Sequence, residues 1–130
     1  MILAIDPGKE KCGVALMSEN GNVLSRRVVP RQELSLSIID HVASNRINSI
    51  VIGAGHFGSE VETELKKRGL STEINFVSEK DSTWQAKKLY WQQNPPKGWR
   101  RLFPTSFLSP PIPIDGYAAE IIGLRYLKLL

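Results

Sequence analysis

Apolar residues fill positions 1–5, give way to Asp6-Pro7-Gly8, and resume over 12–17. Short apolar runs bounded by Pro and Gly read as strands, so two strands are expected with a turn at 7–11. Asn20-Gly21-Asn22 is a hairpin signal, which makes 23–29 a third strand antiparallel to the second. Pro30 is tolerated in a first helical turn and is expected to start a helix. Leu34, Ile38, Ile39, Val42 and Ala43 recur at helical spacing, so this helix should run to about Asn45. Residues 47–53 read as a short strand buried on both faces. The glycine-rich stretch 53–58 reads as a loop. Val61 and Leu65 then mark a helix that stops at Gly69. Residues 73–77 form the fifth expected strand, and 82–93 a helix with a Lys-rich outer face.

Residues 94–113 differ in kind. They hold six of the eight prolines, which excludes regular helix or sheet. The stretch is too long for an ordinary connection. Asp115 then opens a last helix through Ala118, Ala119, Ile121, Ile122, Leu124 and Leu127. The order is β1-β2-β3-α-β4-α-β5-α-α. Three antiparallel strands come first, and two more arrive through helical crossovers that make them parallel neighbours. The expected fold is α/β: one five-stranded mixed sheet flanked by helices. A single domain spans 1–130, with an insert at 94–114 and no internal repeat.

A chain of 130 residues suits one domain with one core, and 42% hydrophobic with 23% charged is ordinary for a globular protein. No segment approaches the roughly 20 apolar residues of a membrane span. The N-terminal apolar run lacks a preceding basic region, so no signal peptide is expected. A single cysteine, Cys12, allows no internal disulfide and fits the cytoplasm. Cys12, His41 and His56 are too few and too scattered for a zinc site. The expected assembly is a monomer or homodimer.

The net charge is +4 and the pI about 9.4, a balance that favours polyanions. Its placement matters more. Lys87, Lys88, Lys97, Arg100 and Arg101 are interleaved with Trp84, Tyr90, Trp91 and Trp99. Cations beside aromatic rings suit a nucleic-acid strand. The same tryptophans equally suit a role as core anchors.

Asp6 stands where an apolar strand emerges. Ionised Asp is seldom buried without a partner, so an acid here points to metal or phosphate chemistry. The element order with Asp6 at the end of the first strand resembles the ribonuclease H fold. Residues 2–14 (ILAIDPGKEKCGV) resemble the opening of the YqgF-like family, also called RuvX-like, of Holliday-junction resolvases and pre-16S rRNA-processing nucleases. Val77-Ser78-Glu79-Lys80-Asp81-Ser82-Thr83 resembles the family's second motif, and Asp115-Gly116-Tyr117-Ala118-Ala119 its third. The resemblance covers nearly the whole chain. It departs where Ser78 replaces an Asp, Lys80 an Arg and Asp81 a Leu. No Leu-Pro follows Gly53, and the long insert is unlike the shorter members. Ile52-Gly53 stands where a RuvC-type resolvase carries Glu, which favours the YqgF-like branch.

The resemblance implies a Mg²⁺- or Mn²⁺-dependent nuclease acting on structured RNA or branched DNA. Phosphodiester hydrolysis needs an activated water and charge neutralisation, which two hard cations roughly 4 Å apart supply. Such ions take a few carboxylates and keep several waters. Asp6, Glu79 and Asp115 are the expected catalytic and metal-binding set. Each also has a plainer role: Asp6 shaping its turn, Glu79 as a solvated acid, Asp115 as an N-cap. Asp81 is placed to replace or assist Glu79. Lys9 and Lys11, with Lys97, Trp99, Arg100 and Arg101, are the expected nucleic-acid contacts. Ser82 and Thr83 suit a helix cap or a phosphate. His56 suits proton transfer and Glu60 an extra ligand, or neither has a role. Cys12 is expected to be an unreactive strand residue. Two rivals belong to other classes. One is a binding module that keeps the fold without catalysis, which Ser78 and Lys80 leave open. The other is a nucleotide-binding domain of the actin and sugar-kinase type, which normally needs two such domains and more chain than this.

Overall fold

The computed structural model describes residues 1–105 and 108–130, so part of the 94–114 insert, residues 106 and 107, lies outside the described residues. Five strands form one sheet in the order β3-β2-β1-β4-β5. They are β1 (Ile2–Asp6), β2 (Lys11–Met17), β3 (Val23–Pro30), β4 (Ser49–Ala54) and β5 (Glu73–Ser78). β1 and β2 pair antiparallel, as do β2 and β3. β4 pairs parallel with both β1 and β5. The carboxyl ends of β1, β4 and β5 therefore share one edge of the molecule, where open α/β sheets present ligand sites.

Four helices cover the sheet: α1 (Leu34–Ser44), α2 (His56–Lys67), α3 (Ser82–Gln93) and α4 (Asp115–Tyr126). Strand alternation decides which side chain meets which helix. Leu3 and Ile5, Cys12, Val14 and Leu16, and Ile50 and Ile52 face α1 and α2 in one buried cluster. Ile2 and Ala4, Ala15 and Met17, and Val51 face α4 in another. The alanines on that second face let α4 lie close. α3 packs on α4 through Ala86, Ala118 and Ile121. Glu120, buried on α4, takes the Arg26 guanidinium of edge strand β3 at 2.6 Å, so its charge is paired.

Several boundaries differ from expectation. Pro30 closes β3 instead of starting a helix; a 3-10 turn (Arg31–Glu33) follows before α1. Half of the glycine-rich stretch is helix, since α2 begins at His56, and its first two residues end β4. Gly58 serves packing there: a Cβ would strike the Gly53 carbonyl of β4. Among its described residues the insert forms a 3-10 segment (Gly98–Leu102). Tyr90 and Trp91 are core anchors, while Trp84 and Trp99 are exposed. No helix among the described residues is long and apolar enough to cross a membrane.

Candidate active site at the carboxyl end of the sheet

Period-two alternation puts Asp6 on the same face as Ile2 and Ala4, the face that α4 covers. Its partner across the β1–β2 ladder is Gly13. A Cβ at Gly13 would overlap the backbone carbonyl of Asp115. The absence of that Cβ lets the first residue of α4 settle over the strand pair beside Asp6. Asp115 is that first residue, not the N-cap; the cap is Ile114, with no side-chain cap hydrogen bond. The plainer role for Asp115 is therefore not the one it has here.

Glu79 reaches the same end from β5. Its carboxylate lies against the end of β4, where a Cβ on Gly53 would come within 2.8 Å of Oε2 and one on Gly55 within 2.8 Å of Oε1. Two glycines thus leave a cradle for this side chain. The loop that carries it is held at several points. Arg125 of α4 donates to the carbonyls of Ser78 and Lys80, both at 2.7 Å, and to Gln85 Oε1 at 2.6 Å. The Ser78 hydroxyl accepts from the Lys80 amide at 3.2 Å. The serine side chain thus bridges the loop ahead of α3. Asp81 sits in the left-handed region, with φ 59°, and is the N-cap of α3, though no side-chain cap bond forms. Ser82 and Thr83 are thus inside the helix, not capping it.

The electrostatics follow from this crowding. Burial, then the charges of Glu79 and Asp115, push the Asp6 carboxyl up to about 7. Glu79 is raised by burial. Nothing cationic is among the causes acting on Asp6. A half-buried carboxyl with two like charges for neighbours is a place where a cation would be stabilising. The three acids lie toward one end of the sheet, and the charges of Glu79 and Asp115 act on Asp6, yet among the described residues no group of three or more His, Cys, Asp or Glu is gathered as a metal site. The donors themselves, carboxylate oxygens with room kept by glycines, fit a hard cation that retains much of its water.

The other expected residues divide. Lys9 is exposed on the β1–β2 turn and Lys11 is the exposed first residue of β2, at the same end of the sheet as Asp6. Lys97, Trp99, Arg100 and Arg101 are exposed on the insert. His56 and Glu60 pair with each other at 3.7 Å on the exposed side of α2. Cys12 is buried, and burial raises its thiol pKa, as suits an unreactive strand residue. Sequence reading missed Gly13, Gly53 and Gly55. The signal was available for two of them, since strand parity places Gly13 and Gly53 on the Asp6 face.

No protein-family model matches the chain, and no curated protein does. Among solved structures, one described as a sugar kinase from Cytophaga hutchinsonii aligns at 11% identity and TM-score 0.49, over 67% of this chain. This chain spans 38% of that protein's length, and the likeness carries no weight here. RuvC from Thermus thermophilus aligns at 12% identity and TM-score 0.50, over 95% of this chain and 90% of its own. With the sheet order β3-β2-β1-β4-β5 and its antiparallel and parallel halves, that likeness shows the fold: it is ribonuclease H-like, as in RuvC.

Proposed function

We propose that this protein is a metal-dependent nuclease that hydrolyses phosphodiester bonds in structured nucleic acid, of the YqgF-like branch. The observation that carries the reading is the placement of Asp6 opposite Gly13, of Asp115 over Gly13 and of Glu79 against Gly53 and Gly55, which lets the charges of Glu79 and Asp115 act on Asp6. A structural role would not gather uncompensated acids at this place. Asp6, Glu79 and Asp115 would hold Mg²⁺ or Mn²⁺, which when bound supplies an activated water and neutralises the phosphate. Glu79 is oriented by its glycine cradle and by Arg125 through the loop. Asp115 is oriented by the docking of α4 on Gly13. Lys9 and Lys11 border the acids and would draw a polyanion toward them. Pre-rRNA processing and junction resolution both fit this chemistry.

The test is cleavage of a folded RNA and of a four-way DNA junction, with Mg²⁺, with Mn²⁺ and with chelator. Cleavage of at least one substrate with metal, and none with chelator, is expected. Cleavage that persists in chelator contradicts the proposal. Binding without cleavage in any condition would assign the chain to the non-catalytic module instead.

A further inference from the structure

Residues 82–114 contain five Lys or Arg residues and no Asp or Glu. This stretch, α3 and the insert, exceeds the whole chain's net charge of +4, so the remainder is close to neutral. It also holds all three tryptophans. Two of them are not in the core: Trp84 is 64% exposed and Trp99 65%. Each has a cation at its ring. Lys88 Nζ lies 5.6 Å from the Trp84 centroid, and the Arg100 guanidinium 5.8 Å from that of Trp99. Phe103 meets Trp99 edge-on at 5.8 Å, which steadies the ring.

The stretches that carry the two tryptophans adjoin. A cavity of about 260 Å³ is lined by Trp84, Lys87, Lys88, Trp91 and Thr105, and so joins α3 to the insert. A second, of about 520 Å³, has Trp91 in common with it and reaches Lys97 and Arg100. α3 starts beside the acidic site: the amide of Ser82, its first residue, donates to the Glu79 carbonyl at 3.1 Å.

We propose that this face binds single-stranded nucleic acid, with bases stacking on Trp84 and Trp99 and phosphates met by Lys88, Arg100 and Arg101. The proposal rests on nucleic acid as the substrate class and specifies the form in which it reaches the site. A duplex offers phosphates but hides the faces of its bases; only unpaired bases give an exposed indole a partner to stack on. The absence of any acid over 33 residues removes repulsion along the strand's path. On α3, Ala86, Tyr90 and Trp91 are buried and Trp84 is the exposed large apolar residue, so that helix offers a lipid surface no apolar stripe to insert; binding to a lipid surface through the exposed Leu102, Phe103 and Ile112 of the insert is an outcome of the test.

The experiment is fluorescence anisotropy on the full chain with a labelled 12-nucleotide single strand and a blunt duplex of the same sequence. Chelator is present throughout, so no cleavage or metal binding enters. Trp84→Ala and Trp99→Ala should each weaken single-strand binding about 5- to 20-fold and leave duplex binding unchanged. Trp84→Phe should recover most of the loss, because it restores a π face. The salt slope should be unaltered by the tryptophan changes, and reduced by about 1.4 in the Arg100→Ala, Arg101→Ala double variant. Wild-type affinity in both tryptophan variants overturns the proposal. So does an equal loss on single strand and duplex, or binding to anionic vesicles in place of either nucleic acid. Tryptophan-dependent single-strand binding in a protein that cleaves nothing would leave this surface standing and remove only the nuclease reading.

Discussion

Asp6→Asn is expected to abolish cleavage and, at the same time, to make the metal-free protein more stable at pH 8. The two effects share one cause. The Asp6 carboxyl titrates near 7 in the folded chain against an ordinary value of 3.8. The folded state thus binds more protons than the unfolded state between those values. Stability of the wild type should fall as pH rises from about 4 to about 7 and stay flat above. The ionised group costs at most about 4 kcal/mol at pH 8. The amide keeps the shape without the charge, so a gain of roughly 2–3 kcal/mol in urea unfolding is expected at pH 8 in chelator. At pH 4.5, where wild-type Asp6 is protonated when folded, the gain should be under about 1 kcal/mol. Activity should fall by about 10³-fold or more, because the amide lacks the charge that holds the cation. Equal stability of variant and wild type across this range would mean that Asp6 is not strained by its neighbours.

Gly13→Ala should be among the most damaging single-methyl changes in the chain. The added Cβ would occupy the place of the Asp115 backbone carbonyl. A backbone group cannot rotate away as a side-chain end does, so α4 must lift from β2 at its first turn. The Arg26–Glu120 pair and the small-residue packing on Ala4 and Ala15 resist that shift. A loss of about 3 kcal/mol or more is expected, at the upper end for overpacking. Activity of the remaining folded protein should also drop, since Asp115 moves with the helix. Urea unfolding and cleavage of the same preparation measure both. Wild-type stability with reduced activity would mean that only the Asp115 side chain, not the helix, had moved. Wild-type values of both would contradict the docking of α4 on Gly13.

The sheet was legible because its signals are local. Alternation, the Asn20-Gly21 turn and the crossover spacing each depend on a few neighbouring residues. Gly21 does adopt a positive φ, of 93°, at that turn. The errors came where a residue answers to distant neighbours. His56 to Gly58 looked like loop because glycines cluster there, yet Gly58 is in α2 and is small to clear the β4 backbone. Ser82 and Thr83 looked like caps, but the cap position fell to Asp81, whose loop is fixed by Arg125 from 45 residues away in sequence. The tryptophans of 84–99 offered no local means of separating core from surface. Trp91 is buried against Tyr90, with ring centroids 5.0 Å apart, while Trp84, seven residues earlier on the same helix, faces outward. Of the candidate site, the three acids were expected from the resemblance and the strand ends. Strand parity could have marked Gly13 and Gly53, but the space they leave for Asp115 and Glu79 exists only once α4 and β5 have docked, and Gly55 carried no such signal.

The measurement that most directly tests the acidic triad is anomalous scattering from crystals grown with Mn²⁺. The account predicts a Mn²⁺ peak coordinated by the Asp6 carboxylate, with Glu79 and Asp115 as the neighbouring acids, and its loss in Asp6→Asn. Mn²⁺ bound elsewhere on the chain, with none at Asp6, would contradict it.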